Sequence, residues 1–243
     1  VTITGTSSEL TAALVTAGSL VVAGTANVTI TDADASGITA TELSAIGAKT
    51  TGTVTVTNAI AITGDHDELT AALVTAGSLV EVTDATATIN DADGTGITAT
   101  ELSAIGAKTT GTVTVTNAIA ITGSPAEVTA ALVTAGSLVE VTDAVVSITG
   151  NPTITELNNI AAKTTGVVTA TLAADSLSNL GALTTAGTDA ITITVNDADA
   201  AGVTASDLST LGGKTAGTVT VTNAVAITGS AAELTAALVT AST

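Results

Sequence analysis

Polar and aliphatic positions alternate strictly in Thr53-Val54-Thr55-Val56-Thr57, and again at Thr112–Thr116 and Thr218–Thr222. Period 2 with β-branched residues predicts half-buried strands, with Val inward and Thr outward. A corner follows each of them, Asn58-Ala59, Asn117-Ala118 and Asn223-Ala224, echoed by Asp84-Ala85 and Asp143-Ala144. Asn and Asp suit such corners because they tolerate a left-handed backbone. A second short strand comes next, Ala59–Thr63 or Thr86–Ile89. The period then changes: in Glu68-Leu69-Thr70-Ala71-Ala72-Leu73, the residues Leu69, Ala72 and Leu73 share one helical face. Gly77 closes this helical turn in the shorter units, and Gly106 and Gly111 close it in the longer ones, as helix ends prefer.

Each helical turn opens with a Ser, Thr or Asp followed three residues later by an acid. The pairs are Thr6/Glu9, Thr39/Glu42, Asp65/Glu68, Thr98/Glu101, Ser124/Glu127, Thr153/Glu156, Thr204/Asp207 and Ser230/Glu233. This is the capping-box pattern. A degenerate ninth copy stands at Asp175-Ser176-Leu177. From Leu10 to Leu234 the aliphatic residue after each acid recurs at steps of 33, 26, 33, 26, 29, 20, 31 and 26 residues. Units this small cannot bury an apolar face alone and must stack on their neighbours. The expected fold is mainly β with short helices: a right-handed parallel β-solenoid of about nine coils of 20–33 residues, each running strand, corner, strand, short helix. A globular αβ sandwich is the alternative. One repeat solenoid is expected over 1–243, with 59-residue blocks near 5–63 and 64–122, a divergent block 123–187 and a final block 188–243. Val56, Ile62, Leu69 and Leu73 should face inward, and Thr55 and Thr57 outward.

The chain is 45% hydrophobic yet holds no Phe, Trp, Tyr, Met or Cys, so its core is thin and built from Val, Ile, Leu and Ala. Without Cys, disulfides and thiolate chemistry are excluded. A net charge of −18, with four Lys and no Arg, argues against nucleic acid and anionic membranes as partners. No apolar run approaches the roughly 20 residues needed to span a bilayer. Neither an initiator Met nor a signal-peptide pattern opens the sequence.

The phrasing of Gly52-Thr53-Val54-Thr55-Val56-Thr57-Asn58-Ala59, then Ile62-Thr63-Gly64, then Glu68-Leu69-Thr70-Ala71-Ala72-Leu73, resembles the tandem repeats of giant acidic, Cys-free surface proteins of marine cyanobacteria and related bacteria. The resemblance covers nearly the whole chain. It implies an extracellular or cell-surface structural role and brings no catalytic residues. Similar repeats also build phage fibres and adhesin stalks.

Candidate chemistry is sparse. His66 is the single His and has Asp65, Asp67 and Glu68 around it, but Ser7 and Pro125 take its place in the sister blocks, so it reads as a solvated residue at a helix start. Lys49, Lys108, Lys163 and Lys214 each sit in Lys-Thr-Thr-Gly or Lys-Thr-Ala-Gly, where a cation complements a helix C-terminus or pairs with acids of an adjacent coil. Gly213-Lys214-Thr215 is no phosphate loop, because Leu208 stands where the first Gly belongs.

The pairs Asp32/Asp34, Asp91/Asp93 and Asp197/Asp199 suit a hard cation, and calcium is their candidate ligand against the plainer reading of solvated turns. Thr-x-Thr rows raise ice binding, with Glu81 and Glu140 expected to break the array in every second layer. No singular constellation points to an enzyme. The expected function is therefore a structural component of an extracellular or cell-surface rod, fibre or filament, with a calcium-binding adhesin module or an ice-binding solenoid as alternatives. Val1–Thr4 opens in a strand and Leu238–Thr240 follows a helical turn without polar caps, so axial continuation is expected, through further repeats or stacked copies.

Overall fold

The computed structural model describes residues 1–75 and 80–239. Two compact units divide it: Val1–Ile119 with Ala130–Thr142, and Ala120–Thr129 with Asp143–Thr243. In chain order the elements are β1 (Thr2–Gly5), α1 (Ser7–Leu10), β2 (Asn27–Ile30), β3 (Gly37–Thr39), α2 (Ala40–Gly47), β4 (Val54–Val56), β5 (Ala61–Gly64), α3 (His66–Leu69), β6 (Val80–Glu81), β7 (Thr86–Ile89), β8 (Gly96–Thr98), α4 (Ala99–Gly106) and β9 (Val113–Val115). They continue with β10 (Ala120–Gly123), α5 (Pro125–Val128), β11 (Val139–Glu140), β12 (Val145–Ile148), α6 (Ile154–Ala161), β13 (Val168–Thr171), α7 (Leu177–Leu180), β14 (Ala190–Val195), β15 (Gly202–Thr204), α8 (Ala205–Gly212), β16 (Val219–Val221), β17 (Ala226–Thr228) and α9 (Ala231–Leu238). The fold is thus mixed αβ, with parallel strands in sheets and short helices between them.

The first unit carries two parallel sheets, β1-β2-β4-β6 and β3-β5-β7-β9-β11. The second carries the parallel run β10-β12-β13-β14-β16 and the pair β15-β17. Inward positions stand over one another: Ile3 faces Val28, Val28 faces Val54, and Val54 faces Val80. Ile38, Ile62, Ala87, Val113 and Val139 form the second file. Val28, Val54, Ile62 and Val113 are at most 1% exposed, so these files are part of the core, together with helix residues such as Leu43, Ile46 and Leu102. Val56, Leu69 and Leu73 are buried as expected, with Thr57 exposed and Thr55 half-buried on the outer face.

Register corrects the repeat length. Ile38 faces Ile62, 24 positions on, and Val28 faces Val54, 26 positions on. The 33-residue steps do not lengthen this spacing. They and the 31-residue step contain one further turn and a three-residue strand, β3, β8 or β15. Successive strands of one ladder are therefore different words: Gly-Ile-Thr in β3, Ala-Ile-Thr-Gly in β5, Thr-Ala-Thr-Ile in β7, Val-Thr-Val in β9 and Val-Glu in β11. The look-alikes β4 and β9 lie in different sheets. Glu also behaves otherwise than expected. Thr39, Thr63, Thr88 and Thr114 follow one another without interruption, and Glu140 ends the file; Thr4, Thr29 and Thr55 end likewise on Glu81.

Helix ends correct two further expectations. Gly106 is the last residue of α4, and the cap after it is Ala107 in an ordinary right-handed conformation. Gly111 lies beyond the helix, and a Cβ there would meet the Ala85 carbonyl oxygen at 2.3 Å, so it is Gly because two backbones touch. Gly77 lies outside the described residues. Past α1 and α3 the helix continues as a π turn, 11–15 and 70–74, closed by Thr16 N–H to Thr11 O and Thr75 N–H to Thr70 O, both 2.9 Å.

Candidate functional site

The recurring Asp pairs, corner Asn and Thr after each Lys bind residues 20–26 positions away. The helix starts are the exception, being local. Full reciprocal capping boxes form at Thr6, Thr39, Asp65, Thr98, Ser124, Thr153 and Ser230. At Thr204 the hydroxyl accepts from Asp207 N–H at 3.0 Å, and the shorter acid bonds that hydroxyl instead of reaching the backbone. Ser176 caps α7 without an acid, accepting from Asn179 N–H at 3.3 Å. Glu9, Glu156 and Glu233 are held below the ordinary carboxylate range by the backbone N–H and then the hydroxyl of their caps. In Glu101 the Thr98 hydroxyl leads and its N–H follows.

The Asp pairs join layers in two directions. The first Asp reaches back to the first residue of a preceding helix: Ser7 N–H to Asp32 Oδ2 at 2.6 Å, His66 N–H to Asp91 Oδ2 at 2.8 Å, and Leu177 N–H to Asp197 Oδ2 at 2.7 Å. The second reaches forward, accepting at Oδ1 from Ala59, Ala118 or Ala224 N–H at 3.1, 3.1 and 3.0 Å for Asp34, Asp93 and Asp199. The two carboxylates of a pair therefore serve different layers. Among the described residues no group of three or more His, Asp or Glu gathers where it could hold a metal ion.

The corner Asn works through its side chain. Asn58, Asn117 and Asn223 donate from Nδ2 to the carbonyls of Asp32, Asp91 and Asp197 at 2.6, 2.5 and 2.7 Å. The left-handed residue expected at Asn or Asp is instead the fourth of the Asp turn, Ala35 at φ 60°, Gly94 at 77° and Ala200 at 62°.

In the Lys-Thr-x-Gly segments, Thr rather than Lys carries the structure. Thr109 donates to the Ala85 carbonyl and accepts from Gly111 N–H at 3.0 Å. Thr50 does the same with Ala26 and Gly52, Thr164 with Ala144 and Gly166, and Thr215 with Ile191 and Gly217. Sequence reasoning missed these four hydroxyls, although their constancy beside Lys was a visible signal. The expected Lys ion pairs do not form among the described residues, where the ion pairs are those of His66 with Asp67 and Asp91.

His66 itself departs from expectation. Its side chain is only 14% exposed, and Nδ1 lies 2.7 Å from Asp91 Oδ1. Burial lowers its pKa, but the bond to Asp91 and the charges of Asp91, Asp67 and Glu101 raise it further, so the net direction is upward.

No protein-family model matches the chain, and neither a curated protein nor a solved structure similar to it was found.

Proposed function

We propose that the chain is a segment of an extracellular or cell-surface rod, fibre or filament, built as a right-handed parallel β-solenoid of about nine coils and serving structurally rather than catalytically. The observation that carries this reading is the recurrence of one bonding scheme: Thr, Asp and Asn side chains reach residues 20–26 positions away, from layer to layer. Interactions confined to neighbouring layers give an object that grows along one axis by repetition. Its acidic surface suits exposure to solvent at the outside of a cell.

Further layers of the same pattern, from repeats or from another copy, are the proposed axial partners. Val219, Val221, Val225, Ile227 and Leu234 are half-exposed, whereas the same words give Val54, Val56, Ile60, Ile62 and Leu69 at 0–3%. A covering layer would bury them. Small-angle scattering on the chain and on a variant with block 64–122 duplicated tests the reading. Two more layers at about 4.8 Å each should lengthen the particle by roughly 10 Å at constant cross-section. Growth in all dimensions would refute it. Antibody labelling of intact source cells tests the location, and staining only after permeabilisation would refute that part.

A further inference from the structure

We propose that His66 and Asp91 form a proton-dependent clip between two successive layers of the first unit, stronger when the imidazole is charged. The same joint occurs three times, and the copies differ only at the carboxylate's second oxygen. Asp32 receives the Ser7 hydroxyl there at 3.1 Å, whereas Asp91 Oδ1 lies 2.7 Å from His66 Nδ1. In the third copy Leu177 has no side-chain donor to offer. One joint of the series therefore contains a titratable donor.

The surroundings favour the charged imidazole. Asp91 and Glu101 face His66 from the next layer, and Asp67 Oδ1 stands 3.6 Å from Nε2 on its own helix. The remaining acids on the packed elements are already engaged: Asp65 and Glu68 in their capping box, Glu42 with Thr39, and Asp93 with Ala118 N–H. With Asp91 at 6% side-chain exposure, the pair is shielded from solvent screening. Neutral imidazole can still donate from Nδ1, but the bond then loses its charge assistance. A His whose folded pKa is raised stabilises fully below the unfolded value, and that contribution is lost as pH rises through the folded pKa. The joint is tight at mildly acidic pH and slackens as pH rises through the raised midpoint of His66.

Because His66 is the single His of the chain, long-range proton–nitrogen NMR reads its titration without ambiguity. The experiment uses the full chain, His66→Ser and Asp91→Asn, with unfolding followed from pH 5 to 9. His66→Ser copies the Ser7–Asp32 joint, so folding is preserved. The wild-type midpoint should lie above the ordinary 6.5 and fall in Asp91→Asn. The stability difference between wild type and His66→Ser should shrink as pH rises through that midpoint. A midpoint at or below 6.5, or parallel pH profiles for wild type and His66→Ser, would overturn the proposal.

Discussion

Replacing Thr109 by Val removes one hydroxyl and keeps the side-chain shape. That hydroxyl donates to the Ala85 carbonyl and is the acceptor for Gly111 N–H at 3.0 Å, in a residue 8% exposed. Water cannot replace it, because the Gly111 backbone sits so close to the Ala85 carbonyl that even a Cβ would stand 2.3 Å away. A buried polar group left unpaired costs about 1–3 kcal/mol. Two such groups, offset by about 0.5–1 kcal/mol from the more apolar methyl, give an expected loss of about 1–5 kcal/mol. For a chain of this size that lowers Tm by roughly 2–20 °C. Urea unfolding measures the global loss, and hydrogen exchange at the Gly111 amide measures the local one. Thr109→Ser should recover most of the stability, since it restores the donor and acceptor. At Thr110 the side chain is exposed and bonds the Thr83 carbonyl at 3.0 Å, so Thr110→Val should cost under about 1 kcal/mol. Equal losses in Thr109→Val and Thr109→Ser would refute the assignment, because packing would then explain the effect. So would unchanged protection of the Gly111 amide.

Three other outcomes are expected. Ala35→Gly and Ala200→Gly should stabilise by about 0.5–1 kcal/mol, and Gly94→Ala should lose a similar amount, because all three positions have positive φ; thermal melts of the single variants check the opposed signs. Millimolar calcium should leave Tm unchanged, since each Asp of the three pairs already accepts a backbone N–H; a saturable rise abolished in Asp91→Ala/Asp93→Ala would restore the cation reading. Stability should fall on acidification below the ordinary Glu range, because capped Glu9, Glu101, Glu156 and Glu233 have depressed folded pKa values and lose their contribution as pH falls through them. Acid titration with Glu101→Gln and Glu156→Gln checks this, and those variants should show a shallower acid limb than wild type.

The sequence by itself determined the helix starts and the faces of the strands it predicted, though not the further strands β3, β8 and β15. Helix starts were legible to the residue because a capping box closes over three positions, as in Thr98 and Glu101. Strand faces were legible because the side-chain period of two is intrinsic to an extended chain, and Val54, Val56 and Ile62 are buried as their alternation required. What only the tertiary structure decided was which strand lies on which. Ala-Ile-Thr-Gly in β5 stands beside Gly-Ile-Thr in β3 and Thr-Ala-Thr-Ile in β7, not beside its own copy in β10. Parallel pairing depends on where the chain returns beside an earlier strand, and one inserted turn and strand changes which words meet without changing any local word. The roles of Asp32, Asp91, Asn58, Thr109 and His66 depend on the same register. Their partners lie 24–26 residues away, beyond the reach of any local rule, and a carboxylate that looks free along the chain becomes an acceptor only when the next layer delivers an N–H to it.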